Sequence, residues 1–319
     1  MRYATLGRTG LDVSLIGFGA ATLGEEYGPL DAATGRRAVD AAIDQGINYF
    51  DVSPYYGRTL AEERLGEALR GKREKVVLET KVGRYGRAYP EGFDFSASRV
   101  MRSVEESLRR LRTDVIDVFL AHDIEFESRS RILGETLPAL RKLKEQGKIR
   151  AFGITAYPLE LLREVAEEGE VEVVLSYCHY NLMNTRMAAV LGPLVRDRGI
   201  GLVNASPLHM GVLTQAGPPA WHPAPADVQG VARACVDFCA ARGRDVADVA
   251  LGFALGSDLV ASTLVGMRTE AEVLANVRTL SAPPDSALVA EVRRRLAPVL
   301  DREWLSGLPD NNPLPEALV

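Results

Sequence analysis

The stretch INYFDVSPYYG, residues 47–57, joins an apolar run to a cluster of polar side chains. The apolar part is rich in β-branched and aromatic residues, as buried strands are, and the polar cluster begins at Asp51. Seven further apolar runs of this length occur in the chain. They are LIGFG (15–19), VVLETKV (76–82), VIDVFLAH (115–122), IRAFGIT (149–155), VEVVLSYC (171–178), IGLVNAS (200–206) and STLVG (262–266). Together with 47–52 they predict eight strands.

Amphipathic segments separate the strand-like runs and predict helices. Three examples are DAATGRRAVDAAIDQG (31–46), SASRVMRSVEESLRRL (96–111) and GETLPALRKLKEQG (134–147), of which the first and third end in glycine just before the next strand. The alternation of strand and helix predicts an α/β fold, a parallel (β/α)8 or TIM barrel. We expect one domain over residues 1–319, because no low-complexity linker divides the chain.

Three further features refine this prediction. GFGAATLG, from Gly17, resembles the G-x-G-x-x-G fingerprint of a doubly wound sheet, but Thr22 replaces its third glycine, so we interpret it as a tight turn. The last two strands begin about 60 residues apart, which predicts an insertion with at least one extra helix before the last strand. DSALVAEVRRRLAPVL (285–300) predicts a C-terminal helix, followed by a proline-rich tail.

The composition argues against several classes of partner and location. The formal net charge of −5 gives no support for binding to nucleic acid or to an anionic membrane. Cys178, Cys235 and Cys239 are too few and too irregularly spaced for a disulfide framework or a metal site. The chain has no signal-like N-terminus and no apolar run long enough to span a membrane, so we expect a cytoplasmic protein without a metal. The sequence leaves the oligomeric state open.

Titratable residues stand at the carboxyl ends of three successive predicted strands. Asp51 ends the second strand, Lys81 the third and His122 the fourth, and Tyr56 lies in the loop after Asp51. Each residue alone has an ordinary structural explanation, such as a turn cap or an exposed side chain. Neighbouring strands of a barrel lie about 4.8 Å apart, so the sequence predicts that the four side chains converge at the barrel mouth.

These four residue types form a chemically coherent set. A lysine about 4 Å from a tyrosine favours the phenolate by up to about 4 kcal/mol at an effective dielectric constant of about 20. We therefore expect Lys81 to lower the pKa of Tyr56, with Asp51 holding Lys81 in place and His122 orienting a substrate oxygen. Such a set interconverts an alcohol and a carbonyl, and it needs a hydride cofactor because it contains no electron acceptor.

Beyond these four positions, SPLHMGVL (206–213) and LVGMRTEAEVLANV (264–277) make the chain resemble the aldo-keto reductase family. Within that family, EGFDFSASRV (91–100), LSYCHY (175–180) and NASPLHMGVLT (204–214) are similar to the L-galactose dehydrogenases. The resemblance implies oxidation of an aldose at C1, L-galactose first, by transfer of hydride to a nicotinamide. It gives Tyr56 the role of the base.

The resemblance also implies further site residues. Those expected at the cofactor are Ser176, Ser206, Leu208, Gly211, Gly266, Arg268, Glu272 and Asn276. Those expected at the substrate are Tyr55, Asp123, Trp221 and His222. The chain departs from the family pattern at the nicotinamide, where Thr155-Ala156, Ser176-Tyr177 and Ala205 stand in place of the usual Ser-Asn, glutamine and stacking tyrosine.

Glu272 leads us to expect NAD, with NADP as the open alternative. A carboxylate at this position would repel a 2′-phosphate and accept hydrogen bonds from a free ribose hydroxyl. Thr269 and Glu272 also have the spacing of a capping box, so the glutamate has a structural explanation too. An NADPH-dependent aldehyde or ketone reductase and a non-enzymatic nucleotide-binding subunit remain alternatives for the whole chain.

Overall fold

A computed structural model describes residues 1–281 and 285–312. The chain begins with an antiparallel hairpin, β1 (Tyr3–Thr5) and β2 (Asp12–Ser14), which the sequence did not predict because YAT and DVS do not form apolar runs. Eight parallel strands then close into a barrel in the order β10-β3-β4-β5-β6-β7-β8-β9. They are β3 (Ile16–Gly19), β4 (Tyr49–Asp51), β5 (Val77–Val82), β6 (Ile116–Ala121), β7 (Ile149–Ala156), β8 (Val173–Tyr177), β9 (Gly201–Ala205) and β10 (Ser262–Gly266). The predicted (β/α)8 barrel is confirmed.

Helices surround the barrel and connect its strands. They are α1 (Ala32–Asp44), α2 (Leu60–Ala68), α3 (Ala97–Leu111), α4 (Arg129–Arg131), α5 (Leu137–Glu145), α6 (Leu159–Gly169), α7 (Arg186–Arg198), α8 (Ala226–Ala240), α9 (Val246–Ala254), α10 (Glu270–Thr279) and α11 (Ser286–Leu296). The first and second of the three helical segments quoted from the sequence start with caps, since Asp31 and Ser96 accept hydrogen bonds from backbone N–H groups of the first turn. The GFGAATLG segment forms β3 and a short 3-10 turn, as expected.

The hairpin closes the end of the barrel opposite the strand carboxyl ends. Leu6 and Val13 are fully buried and belong to the cluster of side chains that fills the barrel interior. Interior neighbours from the barrel strands include Val118 and Val173. Burial of apolar surface stabilises this arrangement by roughly 25 cal/mol per Å², and the hairpin leaves the carboxyl ends of the strands to form the site.

The insertion before the last strand contains α8 and α9, one helix more than a β/α unit requires. It packs with the C-terminal helix α11 into a separate apolar cluster that includes Cys235, Val246, Val292 and Leu296. Both predicted additions are therefore confirmed. The predicted helix over 134–147 starts earlier than expected, because α4 and a π-helical turn (Ile132–Thr136) continue into α5.

The segment after α11 packs against the rest of the chain through two buried carboxyl groups. Glu303 contacts Arg186 at 2.5 Å and His179 at 3.3 Å. Glu125 accepts a hydrogen bond from Ser306 at 2.9 Å, and its backbone carbonyl oxygen accepts from Asn311. The segment after α11 is therefore held against the rest of the protein by polar contacts of residues 303, 306 and 311. The rest of the predicted tail, 313–319, lies outside the described residues, and the single domain over 1–319 stays a prediction.

Burial, reinforced by the Asp123 carboxylate, raises the pKa of Glu125 from 4.5 to about 8. The folded protein therefore keeps a proton on Glu125 that the unfolded chain releases near pH 4.5. Because the native state binds more protons between these values, this group makes stability fall as pH rises from about 4.5 to about 8.

We expect Glu125→Gln to remove this fall, since glutamine is neutral and keeps the acceptor for Ser306. Between pH 5 and pH 8.5 the wild type should lose roughly 1–3 kcal/mol more unfolding free energy than the variant. Urea denaturation at both pH values measures the difference. Glu127→Gln changes a neighbouring, more exposed carboxylate and serves as the matched control. Parallel pH dependence of wild type and Glu125→Gln would contradict the assignment.

Candidate active site

Three neighbouring strands bring the predicted titratable residues to one end of the barrel. Asp51 is the last residue of β4, Lys81 lies one residue before the end of β5, and His122 directly follows β6. These strands are adjacent in the barrel, so their carboxyl ends meet at the same mouth. Asp51, Lys81 and His122 are all buried, and the predicted convergence is observed.

Lys81 lies at the centre of this cluster and makes three polar contacts. Its Nζ forms an ion pair with Asp51 Oδ1, donates a hydrogen bond to the Val52 carbonyl oxygen at 3.0 Å and donates to the Tyr56 hydroxyl at 3.4 Å. A buried ammonium group is tolerated only when it is paired and its protons are hydrogen-bonded. The three acceptors meet this requirement and fix the direction from which the lysine reaches the phenol.

The turn after Tyr56 depends on two glycines. Gly57 has φ +62°, and a Cβ atom there would lie 2.4 Å from the Gly24 carbonyl oxygen. Its N–H donates to Glu26 Oε1 at 3.0 Å, so the turn is fastened to the segment that follows β3. Tyr56 is therefore held from its backbone while its hydroxyl faces Lys81.

The pKa of Tyr56 departs from the sequence-based expectation. Burial and then the Asp51 carboxylate raise it well above the usual tyrosine value. The expectation of a lowered pKa is wrong for the free protein, because the charge of Lys81 is already balanced by its ion pair with Asp51. Without a ligand, the phenol is protonated and presents a proton to the barrel mouth.

His122 is held as a neutral imidazole in one tautomer. Burial lowers its pKa to about 3. The Ser53 hydroxyl lies 3.0 Å from His122 Nδ1 and accepts a hydrogen bond from the Tyr55 N–H at 3.1 Å. We infer that Nε2 carries the imidazole hydrogen, because the acceptor Asp123 Oδ2 lies on its side at 3.7 Å while the Ser53 hydroxyl can donate to Nδ1; Nε2 can then donate to a substrate oxygen. Ser53 lies within DVSPYYG, but sequence reasoning missed it.

Arg84 and Asp123 form a second ion pair beside His122. Asp123 is buried, and its Oδ2 accepts from Arg84 and lies 3.7 Å from His122 Nε2. The Arg84 guanidinium also covers the Tyr55 ring, 4.0 Å from its centroid. Its Nε is buried without a protein acceptor among the described residues. Sequence reasoning found Tyr55 and Asp123 but missed Arg84, whose only signal is its place three residues after Lys81.

The end of β8 and the loop after β9 contain half of the expected cofactor residues. Ser176 is buried, and its hydroxyl contacts His179 Nδ1 at 3.1 Å. Ser206 and Gly211 both have positive φ, 59° and 100°, which marks a sharply turned loop. Leu208 is half-buried at the start of a 3-10 turn in the same loop. The structure brings these residues to the mouth, next to the end of β10.

The remaining cofactor candidates lie at the end of β10 and on α10. Gly266 ends the strand and is exposed, while Asn276 is half-buried on the helix. Arg268 donates to the Pro29 carbonyl oxygen at 2.6 Å. Glu272 accepts from the Arg268 N–H at 2.6 Å, and its own N–H donates to the Thr269 hydroxyl at 3.2 Å. The capping role is thus observed, and Glu272 remains exposed beside Arg268.

This donor set fits a dinucleotide. The first turn of α10 presents backbone N–H groups at the positive end of a helix, where phosphate groups bind. In barrels of this class, the loops after the seventh and eighth strands, here β9 and β10, frequently provide such a phosphate site. Arg268 adds a cation within the same loop.

The two remaining substrate candidates differ in their environment. Trp221 is 43% exposed and packs against the Tyr27 ring at 5.7 Å between centroids. His222 is buried, and both ring nitrogens contact backbone groups, those of His209 and Ala224. Both nitrogens of His222 are therefore occupied by backbone partners, so a hydrogen bond to a substrate would have to replace one of them, and its place at the sugar stays a prediction. Trp304, missed by the sequence reasoning, lies edge-on to its ring at 5.7 Å.

The structure gives no sign of a metal centre or a membrane anchor in its described part. Within 1–281 and 285–312, His, Cys, Asp and Glu side chains nowhere gather in a group of three suited to a metal ion. No helix in these ranges combines the length and apolar character needed to cross a membrane.

Comparison with known proteins places the chain among oxidoreductases. Residues 15–296 match the profile of the aldo/keto reductase family. L-galactose dehydrogenase of Arabidopsis thaliana is 42% identical over 96% of this chain and 98% of its own length. Pyridoxal 4-dehydrogenase of Microbacterium luteolum is 32% identical over 85% and 91%. An aldo-keto reductase from Bacillus halodurans, solved in its holo form, superposes with a TM-score of 0.76 at 28% identity, covering 98% of this chain and 99% of that one.

The close contact between the backbones of Gly57 and Gly24 gives a test of how Tyr56 is positioned. We expect Gly57→Ala to lower turnover at least tenfold, because the new Cβ would clash with the Gly24 backbone and displace Tyr56. Gly71→Ala is the matched control, since Gly71 has nearly the same φ, +69°, with nothing within 4 Å of its Cβ position.

Both variants carry the penalty of a left-handed alanine, on the order of 1 kcal/mol. Urea denaturation and steady-state kinetics on the two proteins separate this penalty from the displacement. Equal activity of Gly57→Ala and Gly71→Ala would show that the contact with Gly24 does not position Tyr56.

Proposed function

The chain belongs to the aldo/keto reductase family, and on this premise we propose that it oxidises an aldose at C1 with NAD as the hydride acceptor. It is an oxidoreductase acting on CH–OH groups with a nicotinamide cofactor, and its substrate is a small sugar. L-galactose, which would give L-galactono-lactone, is our first candidate. The main support is the 42% identity to the Arabidopsis L-galactose dehydrogenase over nearly the whole of both chains.

The observation that carries the proposed mechanism is the hydrogen-bonded chain Asp51–Lys81–Tyr56. We assign Tyr56 as the group that removes the proton of the C1 hydroxyl. Lys81 donates to the phenol oxygen and stabilises its anion, and Asp51 holds Lys81 charged and in position. His122 donates its Nε2 hydrogen to the same substrate oxygen, which orients the hydroxyl toward Tyr56.

A bound oxidised nicotinamide supplies the carbon that accepts the hydride and a positive charge next to the reacting atoms. We place its dinucleotide across the loops after β8, β9 and β10, with the pyrophosphate at the first turn of α10 near Gly266 and Arg268. Ser176, Ser206, Leu208, Gly211 and Asn276 are the further residues we assign to this cofactor. The adenosine ribose would then lie near Glu272.

Arg84, Asp123 and Tyr55 are the residues we assign to the sugar. Hydroxyl groups of a sugar both donate and accept hydrogen bonds, and the ion pair offers a donor and an acceptor beside His122. The Arg84 Nε, which has no acceptor among the described residues, supports this assignment. Trp221 would form an exposed edge of the same pocket.

A second candidate, reduction of an aldehyde or ketone with NADPH, is favoured by one observation. The raised pKa of Tyr56, caused by burial and then by Asp51, leaves the free protein with a phenol that is ready to donate a proton. Such a phenol acts as the acid in carbonyl reduction and needs a further positive charge before it acts as a base. The third alternative, a non-enzymatic nucleotide-binding subunit, has no comparable support.

We also propose a cytoplasmic location. Cys178, Cys235 and Cys239 are buried, and none of the three forms a disulfide. Free thiols of this kind are usual in proteins of a reducing compartment.

A substrate panel tests the proposed activity. We expect NAD-dependent oxidation of L-galactose, L-fucose, D-arabinose or L-gulose, and slower or no oxidation of pyridoxal. The absorbance of the reduced cofactor measures each rate.

Tyr56→Phe should lower kcat by at least a thousandfold and leave NAD affinity nearly unchanged, because it removes only the hydroxyl. Aldehyde reduction that exceeds aldose oxidation under matched conditions would favour the second candidate, and Tyr56→Phe with a tenth of wild-type kcat would remove Tyr56 from proton transfer.

Glu272 gives a test of cofactor choice. We expect the wild type to prefer NAD, and Glu272→Gln to raise kcat/KM for NADP about tenfold by removing one negative charge near the 2′-phosphate. Glutamine keeps an acceptor for the Arg268 N–H, so the start of α10 should stay intact, and an unchanged melting temperature checks this. Comparable kcat/KM values for NAD and NADP in the wild type would contradict the proposed preference.

A further inference from the structure

A buried glutamate lies directly beneath the catalytic cluster. Glu79 and Lys81 are two residues apart on β5, so their side chains point to the same side of the strand. Glu79 pairs in register with Asp51 on β4, and its side chain is fully buried. Neither the family resemblance nor the proposed mechanism gives this residue a role.

The barrel interior around Glu79 is otherwise almost entirely apolar. The titratable groups that face it are Tyr49 and Asp51 from β4 and Lys81 from its own strand. The neighbouring strand β6 contributes Val118, which is its partner in register, and Leu120. An ionised carboxylate in such surroundings is strongly disfavoured unless a cation or several donors contact it.

The surroundings of Glu79 favour a protonated carboxyl group. The Tyr49 hydroxyl donates to Oε2 at 2.5 Å. Oε1 is buried and meets no donor among the described residues, and the nearest acidic neighbour of Glu79 is its register partner Asp51. Two buried carboxylates side by side repel each other, so the pair is favoured when one of them carries a hydrogen. Asp51 forms the ion pair with Lys81, which leaves the hydrogen on Glu79.

We propose that Glu79 is a positioning residue whose neutral carboxyl group donates a hydrogen bond to Asp51 and thereby fixes the Asp51–Lys81 pair against Tyr56. The role rests on the proposed function of that pair. Burial, followed by the Asp51 carboxylate, raises the pKa of Glu79 well above the usual glutamate value, in agreement with the geometry. An ionised Glu79 would also raise the pKa of Tyr56 further, so its neutrality keeps the phenol easier to ionise.

Substitutions at Glu79 separate a neutral donor from an ionised acceptor. Glu79→Gln keeps the shape, accepts from Tyr49 and donates to Asp51 without a charge, so we expect kcat within about threefold of wild type and an unchanged pH profile. Glu79→Leu removes the donor, and we expect kcat to fall roughly tenfold with little change in KM. Tyr49→Phe is the matched control, because it removes a hydrogen bond to Glu79 without touching the donor to Asp51. It should stay close to wild type.

Infrared difference spectroscopy tests the protonation state without any turnover. The spectrum of the wild type minus that of Glu79→Gln, recorded at neutral pH, should contain the carbonyl stretch of a protonated carboxylic acid. The same difference with Glu125→Gln isolates the other buried carboxyl group of raised pKa. Absence of a Glu79 band would overturn the proposal, and so would a Glu79→Gln variant that fails to fold, because a neutral isostere should fold normally.

The kinetic arms use whichever alcohol substrate the protein oxidises fastest. Failure of every aldose with the Glu79 band present would sink the aldose proposal alone. Equal loss of kcat in Glu79→Gln and Glu79→Leu would overturn the positioning role, since it would mean that an ionised carboxylate is required. Wild-type kcat and pH profile in Glu79→Leu would overturn it as well.

Discussion

The ion pair between Lys81 and Asp51 is the interaction on which the rest of the site depends. Removing either partner would leave an uncompensated charge in the barrel, which costs about 3–5 kcal/mol. The barrel supplies what the pair needs, because adjacent parallel strands present both side chains at one end and the Val52 carbonyl oxygen accepts a further proton of the ammonium group. Lys81 also donates a hydrogen bond to the Tyr56 hydroxyl. The position of Lys81 in the ion pair therefore fixes the direction from which it contacts the phenol.

The parts of the fold that the sequence predicts are those set by local pattern. Apolar runs of five to eight residues, separated by amphipathic segments, predict all eight barrel strands, and the long gap before β10 predicts the inserted helix. The sequence also predicts the convergence of Asp51, Lys81 and His122, because residues at the carboxyl ends of parallel strands lie at the same end of a barrel. The hairpin strands β1 and β2, YAT and DVS, have no such apolar run.

Features that depend on partners distant in sequence could not be predicted. Arg84 appears in the sequence as one loop arginine among many, and only the fold brings it to Asp123, 39 residues away. The same holds for Glu303, which meets His179 across more than a hundred residues. The pKa of Tyr56 failed as a prediction for a related reason: the sequence predicted that Lys81 is near, but it did not predict how far burial and Asp51 outweigh it.

The charged groups at the barrel mouth neutralise one another, so no net positive charge remains there to stabilise a Tyr56 phenolate. Two carboxylates, Asp51 and Asp123, each face a cation, and burial keeps Glu125 protonated at neutral pH and the imidazole of His122 neutral. With Glu79 also neutral, as we infer, the titratable groups nearest to Tyr56 sum to zero. A balanced site leaves the phenol protonated until a cation binds beside it. On the proposed function, the positive charge of an oxidised nicotinamide beside Tyr56 would favour ionisation of the phenol in the same complex that can accept the hydride.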